Sequence, residues 1–134
     1  MSENVLIGGS ERQADTYRIL ALAYMGDAVI ELFARDRVLH EGKETKPGGL
    51  VRASKAYITC EAQSDAVERI LDVLTDKEMS VYKRGRNTKT HFAPKHGELI
   101  QYRRATGLEA LMGHLYVSGN VARAKELFDI AFAK

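Results

Sequence analysis

The chain is predicted to fold as an all-α domain on three observations. Apolar residues recur at helical spacing over most of its length, turn formers gather at a few breakpoints, and no two alternating segments read as a strand pair. With 134 residues, 45% apolar and 28% charged, it is long enough for one ordinary hydrophobic core and short for two domains. Residues 1–13 are expected to form a flexible N-terminal segment and residues 14–134 the helical domain.

The first helix is expected from Asp15 to His40. Between Ile19 and Ala34 its apolar positions run nearly all round the wheel, interrupted only by Gly26, Asp27 and Glu31, the pattern of a central buried helix. The turn formers of Glu41–Gly49 end it. A second helical stretch opens near Leu50, is bent or interrupted near Cys60, and runs to Leu74. Thr75-Asp-Lys-Glu78 has the spacing of a capping box, so a short helix is expected to start there and fray near Lys83. The apolar period disappears between Arg84 and Gly97, which reads as a long loop. Helix returns by about Leu99 and lasts through Val117, stopping at Ser118-Gly-Asn120. A last amphipathic helix, Val121 to Ala133, places Val121, Ala124, Leu127, Phe128, Ala131 and Phe132 on one stripe.

Composition excludes several classes. The single Cys60 forms no internal disulfide, and no Cys/His cluster has zinc spacing, which favours a reducing compartment, the cytoplasm. No apolar run is long enough to cross a bilayer, and the N-terminus lacks an export signal, so no membrane partner is expected. The net charge of +2 is unevenly spread. Lys83 to Arg104 carries seven Lys/Arg against one acid, +6, which leaves −4 for the rest. Such segregation points to a local electropositive surface for a polyanion.

Two acids stand inside the most apolar stretches: Asp27 within Ile19–Ile30 and Glu109 within Ala105–Gly113. Burying a lone carboxylate costs several kcal/mol, roughly, unless it is paired, protonated or bound to a cation. Gly26 beside Asp27, and Gly107 and Gly113 around Glu109, remove bulk where another helix approaches. Helices crossing at these glycines would bring both carboxylates to one hard, oxygen-loving cation. Composition alone favours a structural role instead, with each acid in an ion pair, for example to Arg35, Arg103 or Arg104, or on a polar edge of the wheel.

The stretch Ala21-Leu-Ala-Tyr-Met-Gly-Asp-Ala-Val-Ile-Glu31 resembles the Gly-Asp-Ala signature helix of the ribonuclease III family, and Thr106-Gly-Leu-Glu-Ala-Leu-Met-Gly113 resembles its second acidic motif. Together with the basic Tyr82–Asn87, the pattern is most similar to the Mini-ribonuclease III subfamily. It covers roughly Asp15 to Phe132. Larger members carry further carboxylates four residues before the motif Asp and three before the motif Glu, but here those positions are Ala23 and Thr106. The resemblance implies a ribonuclease III endonuclease-domain fold, a symmetric homodimer, and no double-stranded-RNA-binding domain. It also implies Mg2+, with Mn2+ as a substitute, held by Asp27 and Glu109 as metal-binding and catalytic residues. The implied reaction is endonucleolytic cleavage of double-stranded RNA to 5′-phosphate and 3′-hydroxyl ends, in maturation of a large-subunit (23S) ribosomal RNA precursor. A non-catalytic dimeric RNA-binding or ribosome-assembly factor of the same fold is the alternative.

Phosphate contacts are expected from Lys83, Arg84, Arg86, Lys89, Lys95, Arg103 and Arg104, with Asn87 as a hydrogen-bonding neighbour. Lys46, Arg52 and Lys55 form a second group. A dyad contact is expected around Met25 and Val29, and the tyrosines, Tyr24 among them, are expected to pack within the fold.

Overall fold

A computed structural model describes residues 9–89 and 98–133, and these residues contain α-helices, one 3-10 turn and no strand. In chain order the helices are α1 (Glu11–Ala14), α2 (Ile19–Glu41), α3 (Pro47–Ile58), α4 (Cys60–Ile70), α5 (Asp76–Asn87), α6 (Glu98–Val117) and α7 (Val121–Ala131), with the 3-10 turn at Leu71–Val73. Helical structure therefore begins at Glu11, inside the segment expected to be flexible, because the Ser10 hydroxyl accepts a hydrogen bond from the Gln13 amide.

Local chemistry sets most boundaries. Gly42 ends α2 in the left-handed conformation, φ 69°, which a side chain would strain. Pro47 begins α3 at a position where its missing N–H costs nothing. The break near Cys60 is sharp: Thr59 is extended and caps α4 by accepting from Ala62 N at 3.1 Å. Both halves of the Thr75/Glu78 capping box are present. Beyond it α5 continues to Asn87 instead of fraying at Lys83, so the basic Lys83–Asn87 run lies on a helix and not in a loop.

Helix α6 is the hub, packed against α2, α5, α4, α7 and α1, with every residue from Leu111 to Leu115 buried. The sequence pattern assigned that place to α2. Instead α2 buries Leu22, Val29, Ile30, Phe33 and Val38 and leaves Leu20, Tyr24, Leu32 and Leu39 on an open face, Tyr24 at 81% exposure. An apolar circumference thus marks two different situations, a helix enclosed by its own fold and a helix with one face left uncovered.

On the opposite side α7 covers the core. Phe33, Tyr57, Phe128 and Phe132 pack ring against ring, with Phe33 edge-on to Phe128 at 5.4 Å between centroids. The Arg37 guanidinium lies 4.8 Å from the Phe128 ring centroid and donates to Asp129 and the Phe132 carbonyl, while Arg69 donates to the Ala131 carbonyl at 2.9 Å. Arg123 clasps the buried Glu78 carboxylate with two 2.9 Å bonds.

Candidate active site

The acids meet where α2 crosses α6. A Cβ placed on Gly26 would lie 1.6 Å from the Glu109 carbonyl oxygen, and one on Gly113 would lie 1.8 Å from that of Leu22. Only hydrogen fits at either point. Contacts that advance from Leu22 to Gly26 on α2 recede from Gly113 to Glu109 on α6, so the helices run antiparallel. The expected pairing of Gly107 with the same crossing does not occur, because Gly107 and Gly85 let α5 approach α6 instead. A Cβ on Gly107 would stand 2.7 Å from the Tyr82 ring.

Across this crossing the Asp27 and Glu109 carboxyl groups are within hydrogen-bonding reach. Burial first, then the Asp27 charge and the hydrogen bond from Glu109 to it, push the Glu109 carboxyl up to about 8. The burial is shared unequally. Glu109 is partly buried, whereas Asp27 is exposed despite its apolar neighbours, because it lies at the edge of the crossing and not in the core. The structural alternative also loses its partners: Arg35 pairs with Glu31 and Arg104 with Glu68. Among the described residues neither Asp27 nor Glu109 has a basic ion-pair partner.

Two carboxylates held together without a counter-charge suit a hard divalent cation, whose charge would relieve both the burial of Glu109 and its repulsion by Asp27. Among the described residues the donor set stops at this pair, since no group of three or more His, Cys, Asp and Glu is placed to hold a metal. Ala23 and Thr106, the positions at which the resemblance would place two further acids, are buried, and the Thr106 hydroxyl donates to the Tyr102 carbonyl. Cys60 is exposed, yet its surroundings feel the site unexpectedly: desolvation by neighbouring groups and then the charge of Glu109 raise its thiol. Its position at the break between α3 and α4 gave no sign of this proximity.

Of the residues expected to contact RNA, Lys83 and Arg84 are exposed near the end of α5, with Asn87 and Lys89 exposed beyond them and Arg103 exposed on α6. Arg86 is partly buried, lies over the Tyr82 ring and donates to the Asn87 side chain at 3.0 Å. Arg104 is engaged by Glu68 on α4, a partner that lies far away in the chain. Lys46, Arg52 and Lys55 are exposed on and before α3, a helix packed on α2 and α4, whereas α5 packs on α6 and α2. Lys95 lies outside the described residues.

Residues 20–120 match the family model of the ribonuclease III domain, so the helical fold is that of a ribonuclease III-type nuclease. Mini-ribonuclease 3 of Enterococcus faecalis is 40% identical over 117 residues, 86% of this chain and 88% of that protein. Mini-ribonuclease 3 of Streptococcus pneumoniae is 39% identical, over 86% of this chain and 91% of its own. A crystal structure of a Fusobacterium nucleatum protein superposes with a TM-score of 0.75 at 30% identity, covering 86% of this chain and 91% of that one. The chain belongs to the Mini-ribonuclease III branch of the ribonuclease III family and is an endoribonuclease.

Proposed function

We propose that the chain cleaves double-stranded RNA in a magnesium-dependent reaction, as a homodimer, with large-subunit ribosomal RNA precursor as its physiological substrate. The observation that carries the proposal is the contact between Asp27 and Glu109 at a glycine-lined crossing, with no basic residue described beside them. When bound there, a divalent cation stabilises the charge that develops on the attacked phosphate and lowers the pKa of the attacking water. Asp27 is exposed, so its oxygens are open to solvent. Glu109, raised to about 8, gives up its proton before it serves as a ligand. Attack of water on phosphorus with rupture of the P–O3′ bond, the departing O3′ taking a proton, leaves 5′-phosphate and 3′-hydroxyl ends.

The exposed Lys83, Arg84, Lys89 and Arg103 supply phosphate contacts for a duplex recognised by shape. The uncovered α2 face of Leu20, Tyr24 and Leu32 is the surface offered to a second copy, giving one site for each RNA strand. It replaces the contact expected at Met25 and Val29, since Val29 belongs to the subunit's own core. The cytoplasm is the proposed setting, on the strength of the single cysteine.

The test is incubation of the protein with duplex RNA, with and without Mg2+, beside Asp27→Asn and Glu109→Gln. Metal-dependent cutting by wild type alone is the expected result. Binding without cutting at any Mg2+ concentration rejects the nuclease mechanism in favour of an RNA-binding factor, and normal cutting by both variants rejects the site.

A further inference from the structure

The crossing that joins the two acids has a weakness. Gly26 and Gly113 exclude any register that sets a side chain at those points, but glycine against backbone offers no side chains to interlock and leaves shifts smaller than one residue to be set elsewhere. A second contact supplies that lock. His114, one residue beyond Gly113 and 3% exposed, bonds through Nε2 to Asp15 Oδ1 at 2.8 Å. A buried imidazole with a carboxylate partner at this distance is the N–H donor at that nitrogen. Lys77 reaches the same carboxylate at 2.9 Å and also faces Glu11 at 3.7 Å, which keeps Asp15 charged and oriented.

Asp15 is tied mechanically to α2. Only Thr16, Tyr17 and Arg18 separate it from Ile19, a short connection whose two ends are hydrogen-bonded: Thr16 N and Oγ1 to the Gln13 carbonyl and Tyr17 N to that of Ala14 on the α1 side, and Leu22 N to that of Arg18 at the start of α2. Beneath this turn Ala14 and Leu22 pack on Val117 of α6. That apolar contact holds the helices together without direction, whereas a short hydrogen bond selects one position along the axis. His114 follows Glu109 by five residues, about 7.5 Å along α6.

We propose that Asp15 and His114 are positioning residues that set the axial register of α2 on α6 and thereby the meeting of Asp27 with Glu109. This rests on the nuclease reading for its consequence in catalysis, but the register itself is measurable without cleavage. In the metal-free protein, Asp15→Ala is expected to speed hydrogen exchange of the Gly26 and Gly113 amides about tenfold, while Leu127 and Phe128 amides in α7 keep their wild-type rates. The Mg2+ concentration for half-maximal duplex cleavage rises about tenfold in the same variant, since sub-ångström misplacement of reacting groups is costly. Asp15→Asn, which retains an oxygen acceptor, recovers most of both effects, and Lys77→Ala, which loosens Asp15 but leaves the His114 bond in place, gives a smaller change in each. If Asp15→Ala does not fold, His114→Gln compared with His114→Ala carries the same contrast, because glutamine keeps a donor.

Unchanged exchange at Gly26 and Gly113, or a uniform acceleration that includes α7, overturns the pair as a register lock. So does a fall in thermal stability with an unchanged Mg2+ midpoint. A local change in exchange in a wild-type background that never cleaves upholds the pair and rejects the nuclease mechanism instead.

Discussion

The α2–α6 crossing and the α7 cover treat charge in opposite ways. Around α7 each strong charge is answered: Arg123 by Glu78 and Glu126, Arg37 by Asp129 and the Phe132 carbonyl, Lys125 by Asp129. At the crossing two acids are brought together without a counter-charge, and burial with the Asp27 charge keeps the proton on Glu109 up to about 8. A fold that answers its charges on one side and sets two acids against each other on the other marks the second place as a candidate for chemistry. Removing charge should therefore have opposite effects on stability in the two regions.

The largest effect tests the crossing as an active site. Asp27→Asn and Glu109→Gln are each expected to lower duplex cleavage at saturating Mg2+ about a thousandfold, roughly 4 kcal/mol, in a single-turnover assay. Next comes the crossing as a packing contact. Gly26→Ala sets a methyl group against the Glu109 backbone, which must move, and should destabilise the fold by about 3 kcal/mol in urea unfolding while abolishing cleavage.

The sign reversal is the sharper comparison. Arg123→Ala strands the buried Glu78 carboxylate and should cost about 2 kcal/mol after allowance for the partial exposure of the arginine. Glu109→Gln should instead stabilise the metal-free protein at pH 9. The folded protein holds the Glu109 proton up to about 8, whereas the unfolded chain releases it near 4.5, so stability falls as pH rises through that interval and levels off above it. Thermal melts from pH 5 to 9 should show this slope in wild type and lose it in Glu109→Gln. Magnesium affinity should rise over the same interval, with proton release detected by calorimetry in two buffers.

The smallest effects belong to the basic surface. Neutralising Lys83, Arg84 or Lys89 singly should weaken duplex binding about two- to fivefold and reduce the salt slope by roughly 0.7 to 0.9 per lost phosphate contact. Arg104, occupied by Glu68, should matter less than Arg84. Equal losses at both would show that RNA displaces the Glu68 pair.

Much of the fold was legible because its signals are local. The Thr75/Glu78 box, the Thr59 break and the Gly42 stop each depend on a few adjacent residues, and the structure contains all three. The α5 terminus was not legible: Lys83–Asn87 has no apolar period of its own and is helical because Val81, Tyr82 and Gly85 seat it on α6. That Asp27 and Glu109 meet was suggested by carboxylates set beside glycines in apolar runs, but only the resemblance of both motifs to the ribonuclease III family singled them out over a structural role. The exposure of Asp27, the nearness of Cys60 and the engagement of Arg104 were not.

By itself the sequence determined most of the helical segments and their stops, and which two acids stand in apolar runs beside glycines, since propensity, capping and periodicity act over a single turn or two. The tertiary structure alone decided that α6 and not α2 is enclosed, that Gly113 rather than Gly107 receives α2, and that His114 finds Asp15 across 99 residues. Those outcomes depend on which face of a helix finds a partner, and the partners are distant in the chain.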